Sequence, residues 1–304
     1  DYLISTQLSN VVSIRVTDDY LNWIVPRRLP TWNIGLNSLL AYSLGLLPTK
    51  DVFWSSKNQP DYIHDHKQTV ASEPNPEMTT LITILSAGQV APGDHIDKIN
   101  ADLLKYTCDQ TGKLLRPDRP SFPTDQWFRR LPNQLDIHDI VTVTTSHPNL
   151  TGSPRSLVGH VLAINLKTPQ TINCMTQFGA VEMLVSEYTS DKTLQPSHPK
   201  MINNGEFTIN IMSPPDKNER LSFKHFVFFP RLNNQHPQDC PDFFFLGEFG
   251  AKFVPVSPDR FTFVSAIEKN TKKRCVVRFE MRGGNEIVEI YGVSLLNSTT
   301  KMMR

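Results

Sequence analysis

An α/β segment followed by an antiparallel β-sandwich is the fold class this sequence predicts, and three observations predict it. Short β-branched runs alternate with helical periodicities through residues 1–110, the order of a parallel sheet with crossover helices. From residue 136 onward, many short apolar runs are separated by turn residues, the pattern of a sandwich. The chain has 304 residues, more than one minimal domain needs and enough for two. The reading therefore gives an α/β part over 1–110, a junction over 111–135 and a β domain over 136–304.

Val11 to Thr17 (VVSIRVT) reads as a buried strand, and Trp32 to Leu47, apolar on almost every face, as a buried helix. Asp51 to Trp54 (DVFW) is a second short strand, followed by a polar loop from Ser55 to Glu73. Asn75 is placed as an N-cap, Pro76 as the first helical residue, and Gly88 as the stop. Met78, Leu81, Ile82 and Leu85 carry the helical spacing between them. Gln89 to Ala91 is a third strand, and Ile96, Ile99, Leu103 and Leu104 mark a third helix. Three strand–helix units cannot close a barrel, because a complete (β/α)8 barrel takes ~250 residues. Residues 1–110 are therefore expected to be the last three units of one, and a chain that opens on Asp1 in mid-pattern is expected to be a fragment or a processed product.

The β part is read as strands at Ile140 to Thr145, Val158 to Ile164, Val181 to Tyr188, Phe207 to Ile211 and Phe223 to Phe229. Phe243 to Leu246, Lys252 to Val256, Phe261 to Ser265, Cys275 to Glu280 and Glu286 to Tyr291 continue the series. Gly205, Pro214-Pro215, Pro258-Asp259 and Gly283-Gly284 supply turns. Phe243, Phe244, Phe245 and Phe249 are read as core, not as a ligand patch.

Composition excludes several function classes. Lys plus Arg is 31 and Asp plus Glu is 30, a net charge of +1, which leaves no electrostatic footprint for nucleic acid or an anionic membrane. No apolar run reaches the ~18 residues of a membrane span. Cys108, Cys174, Cys240 and Cys275 lie far apart with no CxxC pair, which argues against zinc and leaves the disulfide connectivity open. His64 and His66, with Asp61 and Asp65 nearby, fix no third ligand by pattern, so no metal is expected. Asn149 and Asn297 head glycosylation sequons.

The sharpest local feature is Arg15-Val16-Thr17-Asp18-Asp19-Tyr20. Alternation puts Arg15, Thr17 and Asp19 on one face if the strand continues, at the strand end where barrel active sites occur. The competing reading makes one Asp a turn cap and Arg15 a salt-bridge partner. This stretch resembles the R-x-S-D-D-F/Y of strand six in the glycoside hydrolase clan of α-galactosidases and raffinose synthases. Lys50 to Ser55 resembles that clan's W-D-M-F-x-S strand, and Gly88 to Asp94 its G-P-V-x-x-S-D element. Leu103-Leu104-Lys105 through Gly112, Leu115-Arg116 and Pro120 resemble its L-L-K…D-G-x-x-L-R…P stretch, so the likeness covers the first 128 residues. A raffinose-synthase-like subgroup of animals and protists is the nearest in pattern.

The resemblance implies a retaining two-carboxylate mechanism on α-glycosides, with Asp19 as acid/base and Arg15 beside the reacting carbon. Asp18 is a further substrate-binding candidate beside Asp19, and the mechanism needs no cofactor. Asp51 and Asp94 are substrate-binding candidates by their strand-end positions, with a helix N-cap as the alternative for Asp94, and Trp54 reads equally as a sugar-stacking ring or as core. The clan's nucleophile lies on strand four, which no stretch here resembles, so the chain alone is expected to be inactive. Arg116 and Arg119, flanked by Pro117 and Pro120, read as a rigid junction. The expected partner is a carbohydrate, with no nucleic acid and no membrane. The secretory route is the expected location, with the cytoplasm as the alternative set by plant relatives. The competing function is a non-catalytic carbohydrate-binding or structural β-rich module.

Overall fold

The structure is a computed structural model that describes residues 11–17, 33–59, 62–64, 67–69, 72–128, 140–147, 157–189, 197–212, 221–232, 242–269, 274–283, 290–296 and 299–303. Strand β1 (Ser13–Arg15), helix α1 (Asn33–Ser43) and strand β2 (Leu47–Thr49) form one parallel crossover unit, with Ser13 opposite Leu47 and Arg15 opposite Thr49. The second strand therefore begins at Leu47, before the expected Asp51. Pro48 is tolerated there because alternate residues bond to a given parallel neighbour. Leu47 N–H donates to Val12 O, and Val16 N–H donates to Thr49 O, which spares the missing proline donor. A further parallel bridge joins Phe53 to Pro92. Two parallel strands and this bridge are as much of a barrel as the described residues display. The polar loop after residue 55 holds an antiparallel pair, β3 (Tyr62–His64) and β4 (Lys67–Thr69).

Helix α2 (Pro76–Leu85) starts at Pro76 as read, and every residue in it except Glu77 is buried. Its threonines are accommodated because Thr80 and Thr83 hydroxyls donate to the Pro76 and Thr79 carbonyls one turn back. Asn75 makes no cap bond; its Oδ1 accepts from Leu221 N–H at 2.8 Å instead. Gly88 is not the helix stop, since Ser86 is the C-cap. A Cβ at Gly88 would lie 2.2 Å from the Pro48 carbonyl oxygen, so glycine is needed there for close approach to β2. The helix expected after Asp94 is contradicted. Ile96–Lys98 is a single 3₁₀ turn, and α3 covers only Ala101–Leu104. Asn100 Oδ1 accepts from Leu103 N–H, and this new cap interrupts the run. Ile96 is left 79% exposed and Ile99 45% exposed.

Beyond the junction come β5 (Phe122–Pro123), α4 (Asp125–Phe128), β6 (Ile140–Ser146) and β7 (Val158–Ile164). They are followed by β8 (Gln170–Asn173), α5 (Cys174–Phe178), β9 (Met183–Thr189), β10 (Lys200–Ile202), β11 (Glu206–Ile209) and β12 (Phe223–Leu232). The series ends with β13 (Asp242–Gly247), β14 (Phe261–Lys269), β15 (Arg274–Met281), β16 (Tyr291–Leu296) and β17 (Thr299–Met303). The β-rich, antiparallel character is as read, but the layers differ from two facing sheets. One nine-stranded sheet runs β17-β16-β13-β12-β7-β6-β5, with β9 on β12 and β10 on β9, while β8–β11 and β14–β15 form separate two-stranded sheets. The strand expected at Lys252 to Val256 is a run of turns. Its backbone is engaged elsewhere: Phe253 N–H donates to Tyr106 O, and Pro255 O accepts from Glu248 N–H.

Alternation distributes the core to both faces of the large sheet. Val161, Ala163, Phe226 and Phe228 face Ile172, Ile209 and Phe178 of the β8–β11 and α5 layer. On the other face, Ile140, Leu162, Ile164 and Phe223 share a cluster with Val16, Met78, Leu81 and Leu85. Val227, Phe229, Phe244, Phe245 and Phe249 form a further cluster with Phe261 and Val264, which agrees with the core reading of the phenylalanine run. The α2 layer and the β sheet therefore share one apolar cluster across the junction. Polar clamps reinforce it. Arg116 Nε lies 3.3 Å from Asp259, and Lys252 Nζ donates to the Lys105 and Cys108 carbonyls. Buried Arg260 and Glu248 pair at 3.4 Å.

Candidate functional site at the parallel strand ends

The C-terminal ends of β1 and β2 bring Arg15, Thr17, Lys50 and Asp51 together. Arg15 leaves the end of β1 and meets Asp51 at 3.1 Å; its side chain is 50% exposed and that of Asp51 21%. Thr17 Oγ1 accepts from Asp51 N–H at 2.9 Å. The parallel register explains the meeting: Arg15 pairs with Thr49, so the chains emerge side by side, two residues short of Asp51. Asp18 and Asp19, the next residues after Thr17, lie outside the described residues, as do Asn149 and Asn297.

Beneath the pair sits Lys50, a residue the sequence reading carried only as part of a motif. Lys50 is 6% exposed. Its Nζ donates to the Asp51 and Val52 carbonyls at 3.2 and 3.1 Å and lies 5.3 Å from the centre of the Phe53 ring. Burial pushes its ammonium down from 10.5 to about 7, against the opposing pull of Glu73 and Asp51. Glu73 is itself buried, and its Oε1 accepts from Asn75 N–H at 2.8 Å. The signal in the sequence was a lysine set directly before a strand-end acid, a position that carries no meaning until the burial is known.

Two expected substrate positions are engaged within the protein. Trp54 is 8% exposed and packs with Phe53, Val90 and Leu104, so its ring is core and offers no open face to a sugar. Asp94 is a hub for its own loop. Its oxygens accept from Ser55 N–H and Oγ, from Ser56 N–H and Oγ, and from Gln59 Nε2. Nor does Asp94 cap the turn that follows, where His95 is the N-cap. Arg116 stays at the junction, as read, bonded to Asp259 and the Ala87 carbonyl.

Cys108 and Cys174 are free thiols, so neither takes part in a disulfide; Cys240 lies outside the described residues. Burial pushes the Cys174 thiol up to about 11, which suits packing and not nucleophilic chemistry. Among the described residues no three His, Cys, Asp or Glu side chains converge as metal ligands do. The metal question at His64 and His66 falls on a loop whose residues 61, 65 and 66 lie outside the described residues. Among the described residues no helix is long and apolar enough to cross a membrane.

No family model and no curated protein matches the chain. A solved structure named "Glycoside hydrolase" is similar over 70% of this chain and 50% of its own, with a TM-score of 0.37 and 8% identity. The chain spans about half the length of that protein, and a likeness at this level carries no argument for fold or activity.

Proposed function

We propose that the chain is the C-terminal part of a retaining glycoside hydrolase or transglycosidase that acts on α-galactoside-like substrates. The observation that supports this reading best is the Arg15–Asp51 pair at the C-terminal ends of two adjacent parallel strands, the end where α/β barrels place their chemistry. In this reading Asp19 is the acid/base. Arg15 and Asp51 bind ring hydroxyls through charge-assisted hydrogen bonds, and Asp18 lies alongside. The nucleophile comes from a strand that these 304 residues do not supply. The mechanism calls for no cofactor. The α/β part over 1–110 and the β part over 136–304 are the two units of this proposal. The secretory route is its proposed location, with the cytoplasm as the alternative; the sequons at Asn149 and Asn297 fit the first.

A non-catalytic carbohydrate-binding module is the second reading. It is favoured by the internal use of Trp54 and Asp94, which removes two of the expected substrate contacts. The test is binding of raffinose to the intact 304-residue chain, with hydrolysis of an aryl α-galactoside followed in parallel. Saturable binding weakened at least tenfold by Asp51→Asn, without turnover, is expected. Turnover by the chain alone excludes the fragment reading, and a lack of binding excludes both.

A further inference from the structure

A second polar feature lies away from the strand ends, inside the nine-stranded sheet. Strands β6, β7, β12 and β9 are consecutive neighbours. On the face that carries α2, Thr144 is opposite His160 and Tyr188 is opposite His225, and Ser146, His160 and His225 follow one another along a diagonal row. Both imidazoles are fully buried. Their rings stack at 5.6 Å between centroids and 14° between planes, and the Tyr188 ring lies 5.3 Å from that of His225. Ser146 Oγ and His160 Nε2 are 3.1 Å apart. Among the described residues His160 Nδ1 and both ring nitrogens of His225 have no hydrogen-bond partner. A neutral imidazole always carries one N–H, so His225 keeps a buried donor unbonded.

The row divides the apolar side chains of that face. Ile140, Leu162, Ile164 and Phe223 gather on the α2 side, and Val158, Val227 and Phe229 gather on the β14–β15 side. The elements packed against it carry few charges. From β9 comes Tyr188, raised by burial, whose hydroxyl oxygen accepts from Gly250 N–H at 3.3 Å. Arg119 offers its carbonyl to the Thr144 hydroxyl. Asp118 accepts from Thr145 at 3.3 Å, with Arg119 and His147 near it. Glu248 is paired with Arg260. Lys224 and Glu187 pair with each other at 2.8 Å, and alternation puts them on the opposite face. Among the described residues no carboxylate bonds either imidazole.

We propose that the stacked His160–His225 pair is an acid-sensitive seam: a proton taken up by either ring opens the row and parts the α2 layer from the β14–β15 layer. An imidazolium here would sit beside another imidazole, buried, and among the described residues Ser146 is the acceptor within its reach. The direction follows from linkage. Burial holds His160 at about 3, and burial together with His160 holds His225 well below 6.5. The folded chain then binds fewer protons than the unfolded one, so stability is full above pH 6.5 and falls as the pH drops below it. At pH 5 each imidazole kept neutral by folding lowers the folding equilibrium constant about thirtyfold.

The experiment is amide hydrogen exchange of the intact chain at pH 7.5, 6 and 5, corrected for intrinsic rates. Protection of β7 and β12 amides is expected to fall together, by at least about thirtyfold between pH 7.5 and 5. His225→Phe, which keeps a ring in the stack, is expected to recover about thirtyfold of the loss. Imidazole C2-proton shifts of the unaltered protein supply a second measurement that does not depend on the variant's folding. Neither buried ring is expected to titrate before the sheet opens. Flat protection from pH 7.5 to 5, an undiminished loss in folded His225→Phe, or a buried ring titrating near pH 6.5 in the closed sheet overturns the proposal.

Discussion

Lys50 is the residue whose substitution says most about the strand-end site. Its folded pKa, about 7, lies below the ordinary 10.5, so the unfolded chain binds the extra proton between those values. Stability contributed at this position therefore rises with pH from about 7 toward 10.5, at up to ~1.4 kcal/mol per pH unit. Thermal unfolding at pH 7 to 9.5 is expected to show the unaltered chain gaining on Lys50→Met over that window; parallel curves contradict the buried ammonium. Asp94→Ala is expected to cost about 2–3 kcal/mol, because it strips acceptors from Ser55, Ser56 and Gln59 at once. The same variant is expected to leave raffinose binding unchanged where the loop stays folded, since the carboxylate is engaged internally. Urea titration and a binding isotherm separate the two effects.

Among the elements, β7 was legible from sequence because a run of seven residues, apolar or small except for His160, sat between turn signals, and it formed at Val158–Ile164 as read. Helix α2 was legible from Pro76 and its spacing. The failures have a common physical origin in partners far along the chain. The run from Lys252 to Val256 looked like a strand, but Phe253 N–H is engaged by Tyr106 O. The periodicity from Ile96 to Leu104 looked like one helix, but Asn100 supplied a cap in its middle. In the site, the strand-end position of Asp51 could be read locally. The saturation of Asp94 could not, since its donors begin 39 residues earlier at Ser55. The fit between β7 and α5 offers a sharp test. A Cβ on Gly159 would lie 2.4 Å from the Phe178 ring, so Gly159→Ala is expected to cost about 1–3 kcal/mol in urea unfolding.

At the scale of the whole molecule, the sheet and the α2 layer are not separable without exposing core. Met78, Leu81, Leu162, Ile164 and Phe223 belong to one cluster, so residues 136–304 expressed alone are expected to bind a hydrophobic dye and unfold without a sharp transition. A sharp transition with no dye binding contradicts this. Arg260 tests a buried ion pair inside the β part. It is 1% exposed, pairs with Glu248 and donates to the Arg282 carbonyl at 3.0 Å. Arg260→Met leaves Glu248 buried without this partner and is expected to cost about 3–5 kcal/mol, read as a lower urea midpoint.

The bond from Leu221 to Asn75 spans 146 residues of chain, and it has a consequence in time. At ~5–20 residues per second, the ribosome delivers the start of α2 some ~7–30 s before the strand that covers it. Through that interval Met78, Leu81, Ile84 and Leu85, all buried in the folded chain, wait in solvent. Nascent chains stalled near residue 200 are therefore expected to crosslink to chaperones through Met78 and Leu81, and chains stalled well past β12 are expected to lose those crosslinks.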